Sequence, residues 1–491
     1  MIGISLLIEP FEAGQQAFFI WERKLLLYLS RNKEEDRLIK KERFQLKNTL
    51  LKVTMLLLSI CLLFTPLTAS VQAAAGEKDI KHWERWIKRN AHPIKMSDSS
   101  QKDLRFLKNV LKDKRIVQLG ETTHGAAEMN QTKVRLIKYL HEQLGYDVIA
   151  FESGFSDTNA SYRNMDQLSA RGLMKDSIFG VWHTEDVLEL FQYIKEQKEK
   201  GDPLILTGFD IQDMPGKFNK SVHDLFKKVD PAKAEELTQA EDQYFSLVSD
   251  SSTLEEFHKK KEALVKEYSE LLKFVDSHSS AFKDPRHPKS LDIVKHSLQL
   301  RMEIMETYLL QEMREKLEIY PEPDQMENLT FFLRDKMMAE QLEWVAEELY
   351  PDKKIMVWGH NYHLRKQNTK VIKDWIQISG SNMGDYLPER IKKQTYTIGI
   401  YAYSGESLGN DGTIAPVNSS HQPTSLEALL KSARHPYTFV DFLHTKNRKG
   451  TSWIYTPRTA LYWGNNEEEM ILKEQYDGVI WIEHISPSVI I

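Results

Sequence analysis

The chain has 491 residues, of which 41% are hydrophobic and 28% charged, with a formal net charge of −5. That length suits one large α/β domain with insertions, and the acidic balance offers no basic stripe of the kind a nucleic-acid partner requires. The single cysteine, Cys61, lies inside an apolar run, so the chain beyond it has neither disulfides nor a cysteine nucleophile.

The first elements concern export. Residues 1–52 form an N-terminal extension: either a genuine cytoplasmic segment or the product of a start placed too far upstream, with translation beginning near Leu51 or Met55. Lys40, Lys41, Arg43, Lys47 and Lys52 then precede the apolar run Val53–Leu67, and the small residues Val71-Gln72-Ala73 and Ala73-Ala74-Ala75 follow it. A basic region, an apolar region and an A-x-A-like site are the layout of a secretory signal over 53–75. The apolar run is about 15 residues, short of the roughly 20 a spanning helix needs. The expectation is a bacterial protein that is secreted or held in the cell envelope, touching the membrane only through this segment if it stays uncleaved.

From residue 76 to 491 the pattern is that of an α/β domain. Trp83 to Leu111 predicts helices, and Arg115–Gly120 a strand. Asn130–Leu144 predicts an amphipathic helix stopped by Gly145, and Asp147–Glu152 a second buried strand. A helical stretch over 182–200 leads to the strand Pro203–Asp210. Strand signals then nearly vanish over about 218–348, which predicts a large all-helical insertion. Strands resume at Lys354–Gly359, Thr395–Tyr403 and Gly478–Glu483. This rhythm predicts a central, mostly parallel sheet flanked by helices.

Ionisable residues collect just past the predicted strand ends. Strand 115–120 runs into Glu121 and His124, strand 147–151 ends at Glu152, strand 203–209 at Asp210, and strand 354–358 leads into His360, Asn361 and His363. Ligands of parallel α/β sheets bind at the carboxyl edge, so a parallel arrangement would bring these residues together. A histidine there can take a proton from water near neutral pH, a glutamate can orient it, and further cationic groups can stabilise an oxyanion. Such a set supports ester hydrolysis by activated water without a covalent intermediate.

Gly120-Glu121-Thr122-Thr123-His124-Gly125 is similar to the G-E-x-T-H-G signature of the erythromycin esterase family, and Glu152 follows at the family's spacing. Trp182, Thr184 and Glu185 resemble its W-x-T-E segment, Gly208-Phe209-Asp210-Ile211-Gln212 its G-F-D-x-Q, and Trp358 to His363 its W-x-H-N-x-H. Met383-Gly384 and the terminal strand after Asp477 also fit, so the resemblance runs over roughly residues 80–490. It implies that His124 is the general base and that Glu121 and Glu152 position it or the water. His360 and His363 would stabilise the intermediate or protonate the leaving alcohol, with Trp182, Asp210 and Asn361 contacting the substrate. It implies no cofactor and no metal, and a small-molecule ester as partner, of which a macrolide lactone is one example.

Three rival readings use the same residues differently. The His/Glu cluster could ligate a metal, with His360-x-x-His363 at a compatible spacing. An exported protein could bind a ligand, haem included, without turning it over. Gly405-Glu406-Ser407-Leu408-Gly409 matches G-x-S-x-G, with Asp441 and His444 as partners, but Asn410-Asp411-Gly412 and Pro416 follow where a nucleophile elbow needs a helix.

Overall fold

A computed structural model describes residues 76–322, 325–372 and 380–491. The extension 1–52 and the signal-like segment 53–75 lie outside the described residues. Among the described residues no helix is long and apolar enough to cross a membrane.

The strands in chain order are β1 (His92–Pro93), β2 (Ile116–Leu119), β3 (Tyr146–Gly154), β4 (Ile205–Asp210), β5 (Lys354–Trp358), β6 (Thr395–Ala402), β7 (Glu406–Leu408), β8 (Ile414–Pro416), β9 (Tyr437–Asp441), β10 (Arg458–Tyr462), β11 (Asn466–Met470) and β12 (Gly478–Ile482). One 8-stranded sheet has the order β1-β9-β12-β6-β2-β5-β3-β4. From β12 through β4 every neighbouring pair is parallel. At the other edge β9 and β1 add antiparallel strands. The fold is thus α/β with a mostly parallel sheet.

The alternation of side chains explains why both faces are covered. Val117, Leu119, Ile149, Phe151, Met356 and Trp358 point to one side, where the helices Ala127–Leu144 and Glu185–Lys200 pack Val134, Ile137, Val187 and Leu190 against them. Ile116, Val148, Ala150, Ile355 and Val357 point to the other. Strands apolar on both faces are what a buried parallel sheet requires, and each large side chain fully buried contributes about 1.5–3 kcal/mol. The second face is covered by the segment between β4 and β5, which carries the helices Lys217–Val229, Pro231–Ser246, Leu254–Ser277, Ser290–Glu306, Tyr308–Lys316 and Thr330–Trp344. Local signals start them: Asp230 caps Pro231–Ser246 with proline at its first turn, and the Thr253 side chain accepts from Glu256 N–H.

Two departures from the sequence reading have plain causes. Trp83–Leu111 is not continuously helical: the helix Glu77–Asn90 ends before Pro93, which lacks the N–H a helix interior needs, and His92–Pro93 pairs with β9 instead. The stretch over 182–200 begins its helix only at Glu185, because Thr184 is extended and caps it with its side chain. Trp182 therefore lies in the preceding tight turn, Gly180–Trp182. Ser407 lies in the β7–β8 hairpin, with no elbow helix after it.

Candidate functional site

The register of the parallel strands sets the site. Leu119 pairs with Trp358, Trp358 with Phe151, and Phe151 with Gly208, so the ends of β2, β5, β3 and β4 are level. Glu121, His360, Glu152 and Asp210 emerge together along one edge. The parallel arrangement expected from the sequence does bring these four strand ends side by side.

The loop after β2 is held by close backbone approaches. A Cβ on Gly120 would sit 2.1 Å from Asn361 Oδ1, and one on Gly125 would sit 2.0 Å from the Leu408 carbonyl oxygen. Gly125 in turn gives its carbonyl to the N–H groups of Leu408 and Ser488, both at 3.0 Å. Because the obstacle at Gly125 is backbone, relief requires the loop to move. Gly125→Ala is expected to cost on the order of 1–3 kcal/mol and to displace His124. Thermal melting checks this, and an Ala variant with an unchanged melting temperature would contradict it.

Within the loop, His124 Nδ1 lies 2.7 Å from Glu121 Oε1, which also accepts from Trp182 Nε1 at 2.8 Å. The other oxygen, Glu121 Oε2, accepts from Lys133 Nζ at 2.5 Å. Lys133 comes from the following helix, also donates to the Gly359 carbonyl at 3.2 Å, and lies over the Trp358 ring at 4.4 Å. Glu121 and Lys133 are both fully buried. Burial favours the neutral acid at Glu121, but Lys133 and His124 together outweigh it and hold the carboxyl below its ordinary range. Burial pushes the Lys133 ammonium down to about 8, with Glu121 opposing the fall, so at neutral pH the pair is ionic. A charged Glu121 accepts the Nδ1 proton of His124, which leaves Nε2 as the ring's acceptor. That nitrogen has no hydrogen-bond partner among the described residues.

His360 is arranged differently. Its Nδ1 accepts from Tyr362 N–H at 3.1 Å, so its Nε2–H is the donor to the Thr122 carbonyl at 3.0 Å. Burial, with His124 and His363 nearby, pushes its pKa well below the ordinary value. His360 is a neutral ring with both nitrogens occupied, and its backbone N–H donates to Glu152 Oε2 at 2.7 Å.

A second histidine–carboxylate pair joins His363, just past β5, to Asp335 of the helical segment. His363 Nδ1 lies 2.8 Å from Asp335 Oδ1, and its Nε2 lies 3.3 Å from Glu152 Oε1. Burial works against a charged His363, but Asp335 and Glu152 outweigh it and raise its pKa. Arg334 donates to Asp210 through Nε and Nη2 and reaches Glu152 Oε1 at 3.4 Å. Its pKa is raised chiefly by Asp210 against the cost of burial.

The residues expected to contact substrate are committed within the protein. The Trp182 indole N–H goes to Glu121, and Asp210 is clamped by Arg334. Asn361 satisfies the peptide of Ile400, donating to its carbonyl at 3.0 Å and accepting from its N–H at 3.3 Å. Lys133, Arg334, Asp335 and Trp463 were not singled out from the sequence, because each lies inside a helix or hairpin where a structural role reads equally well. Trp463, half-buried at the tip of the β10–β11 hairpin, stacks on His360 with centroids 4.7 Å apart. Among the described residues no three His, Cys, Asp or Glu side chains converge as ligands of a metal ion.

Comparison with known proteins gives this geometry a context. The family model described as erythromycin esterase matches residues 141–485. "Putative hydrolase YbfO" of Bacillus subtilis (strain 168) is 64% identical over 450 residues, covering 91% of this chain and 100% of that protein. Erythromycin esterase type II of Escherichia coli is 23% identical over 336 residues, covering 66% of this chain and 78% of its own length. The crystal structure of a mutant of erythromycin esterase EreC in its open conformation matches with a TM-score of 0.55 at 18% identity, covering 81% of this chain and 98% of that one.

Proposed function

Because the chain belongs to the erythromycin esterase family and is a hydrolase, we propose that it cleaves a carboxylic ester with water activated by His124, without a covalent intermediate. The observation that carries this reading is the Glu121–His124 pair, whose Nδ1 is held by an ionised, Lys133-paired carboxylate while Nε2 is left to accept a proton. A water on Nε2 attacks the ester carbonyl and His124 takes its proton. The resulting imidazolium faces Glu121, as in the oriented base of a hydrolytic triad. His363, whose charged form Asp335 and Glu152 favour, gives a proton to the departing alkoxide from its Nε2, which exchanges the 3.3 Å contact with Glu152 for the leaving oxygen. His360, with both nitrogens in use, positions the loop and Glu152 instead of transferring protons. Macrolide lactones are one candidate substrate class, and the signal-like segment 53–75 supports action outside the cytoplasm. The ligand-binding reading shares this site and differs in predicting no turnover.

The acid role has a sign in pH. A histidine whose pKa is raised on folding stays protonated above its ordinary range of about 6.5, so its contribution to activity and to stability is full below that value. The contribution is lost as pH rises through the raised one. Turnover of a panel of simple esters and a macrolide is expected to fall on the alkaline side, in the presence of a chelator as in its absence. Asp335→Asn removes the main anion that raises His363 and is expected to move that alkaline limb to lower pH. An unmoved limb would assign it to Lys133 and overturn the acid role of His363. No turnover of any ester would move the function to ligand binding.

A further inference from the structure

We infer that Trp463 is a specificity-determining residue of this site, selecting esters that present a flat ring or broad apolar face beside the scissile carbonyl. The inference rests on the proposed esterase reading and deepens it.

The backbone shows that the residue is held in place against its own preference. The β10–β11 hairpin closes through Trp463, Gly464 and Asn465, and Trp463 has φ 53 while Gly464 has φ 71. Glycine accepts the left-handed region freely, whereas a bulky residue there persists only where its surroundings overdetermine it, and such positions concentrate at binding and active sites. The surroundings do fix it. The Gly464 carbonyl accepts from Asn418 N–H at 2.8 Å, and Asn465 N–H reaches the Tyr462 carbonyl at 3.3 Å. One strand position earlier, the Leu461 carbonyl accepts from Thr122 Oγ1 at 2.8 Å, and Leu461 N–H donates to Glu427 Oε1 at 2.8 Å. Thr122 lies between Glu121 and His124 in sequence, so the hairpin and the base loop are tied together.

The side chain shows what this placement serves. The Trp463 indole stacks on His360 at 4.7 Å with 24° between planes and meets His124 edge-on at 5.2 Å. Trp182 also meets His124 edge-on, at 4.8 Å, but it is fully buried and its N–H is spent on Glu121. Trp463 is only half-buried. It is therefore an aromatic surface next to the base that a ligand can reach. An acyl or alkoxy group extending from a carbonyl poised near His124 Nε2 meets the indole, and offset stacking of a ring on it adds binding beyond area alone.

The test compares wild type, Trp463→Phe and Trp463→Gly on matched ester pairs, ethyl acetate with ethyl benzoate and ethyl acetate with benzyl acetate. It also measures binding of methyl and phenyl esters of methylphosphonic acid by calorimetry. Glycine suits the backbone at this position and offsets part of the packing lost with the indole, so the Gly variant is expected to fold, with circular dichroism and thermal melting as the control. The ring preference, read as the ratio of kcat/KM within a pair, is expected to fall about five- to tenfold in Trp463→Gly. The change should lie in KM, and Trp463→Phe should retain most of the preference. The phenyl-over-methyl preference in phosphonate binding should fall by a similar factor. Equal loss of kcat for both members of each pair would overturn the inference in favour of a purely structural role, as would an unchanged ratio or phosphonates that bind wild type without preference. If wild type turns over no ester yet loses its phenyl preference in Trp463→Gly, the esterase reading fails and the role of Trp463 in ligand selection stands.

Discussion

His124→Ala is expected to lower kcat by about 10²–10⁴, the range attributed to a positioned general base, while the protein remains folded. The expectation follows from how the ring is held. His124 contributes one hydrogen bond to Glu121 from a loop at the sheet edge. Its removal leaves Glu121 still bonded to Lys133 and Trp182, so no buried carboxylate is orphaned. The stability cost is that of one buried hydrogen bond to a charged group, about 1.5–3 kcal/mol. Ester hydrolysis at saturating substrate, with circular dichroism and thermal melting as the folding control, checks both halves. Near-normal turnover in a folded His124→Ala protein would sink the mechanism.

Lys133→Met is expected to have the largest effect on stability of any change at the site. The methionine keeps the length and apolar character of the side chain but removes the charge that offsets Glu121, and both partners are at zero exposure. Breaking a buried pair from one side strands the other charge and costs about 3–5 kcal/mol. Glu121 then responds by taking up a proton. A protonated Glu121 no longer orients His124 as an anion, so kcat should fall with the stability. The double variant Lys133→Met with Glu121→Gln separates the two effects. With no charge left to bury it should recover much of the stability in denaturant titration and stay inactive. A double variant as unstable as Lys133→Met alone would show that packing, and not the stranded carboxylate, causes the loss.

The chain order of the molecule was legible from local chemistry. Strands of Val, Ile and Leu flanked by glycine announced β2, β3, β4 and β5, and the Lys/Glu/Leu periodicity announced the helices between β4 and β5. Motif order from Gly120 to His363 pointed to the family, and the ionisable residues after the strands pointed to one sheet edge. Antiparallel additions were harder to see. β1, at the sheet edge, is two residues long, and β9, between β1 and β12, follows no clear helix–strand rhythm, because antiparallel additions are defined by the partners they pair with.

What each site residue does was decided only by tertiary contacts. His124, His360 and His363 are the same residue type at similar strand ends, and their sequence neighbourhoods do not distinguish them. The fold does: Lys133 keeps Glu121 ionised behind His124, Tyr362 N–H and the Thr122 carbonyl lock His360 neutral, and Asp335 from the helical segment favours the charged form of His363. The proton-carrying state of an imidazole depends on charges and hydrogen-bond partners within a few ångströms, and those partners come from positions far apart in the chain. The sequence by itself determined that acids and bases would line one edge of a parallel sheet, because strand periodicity and strand-end composition are local. Which proton and which partner each imidazole holds depended on long-range packing, as did the placing of Trp463 over the histidines.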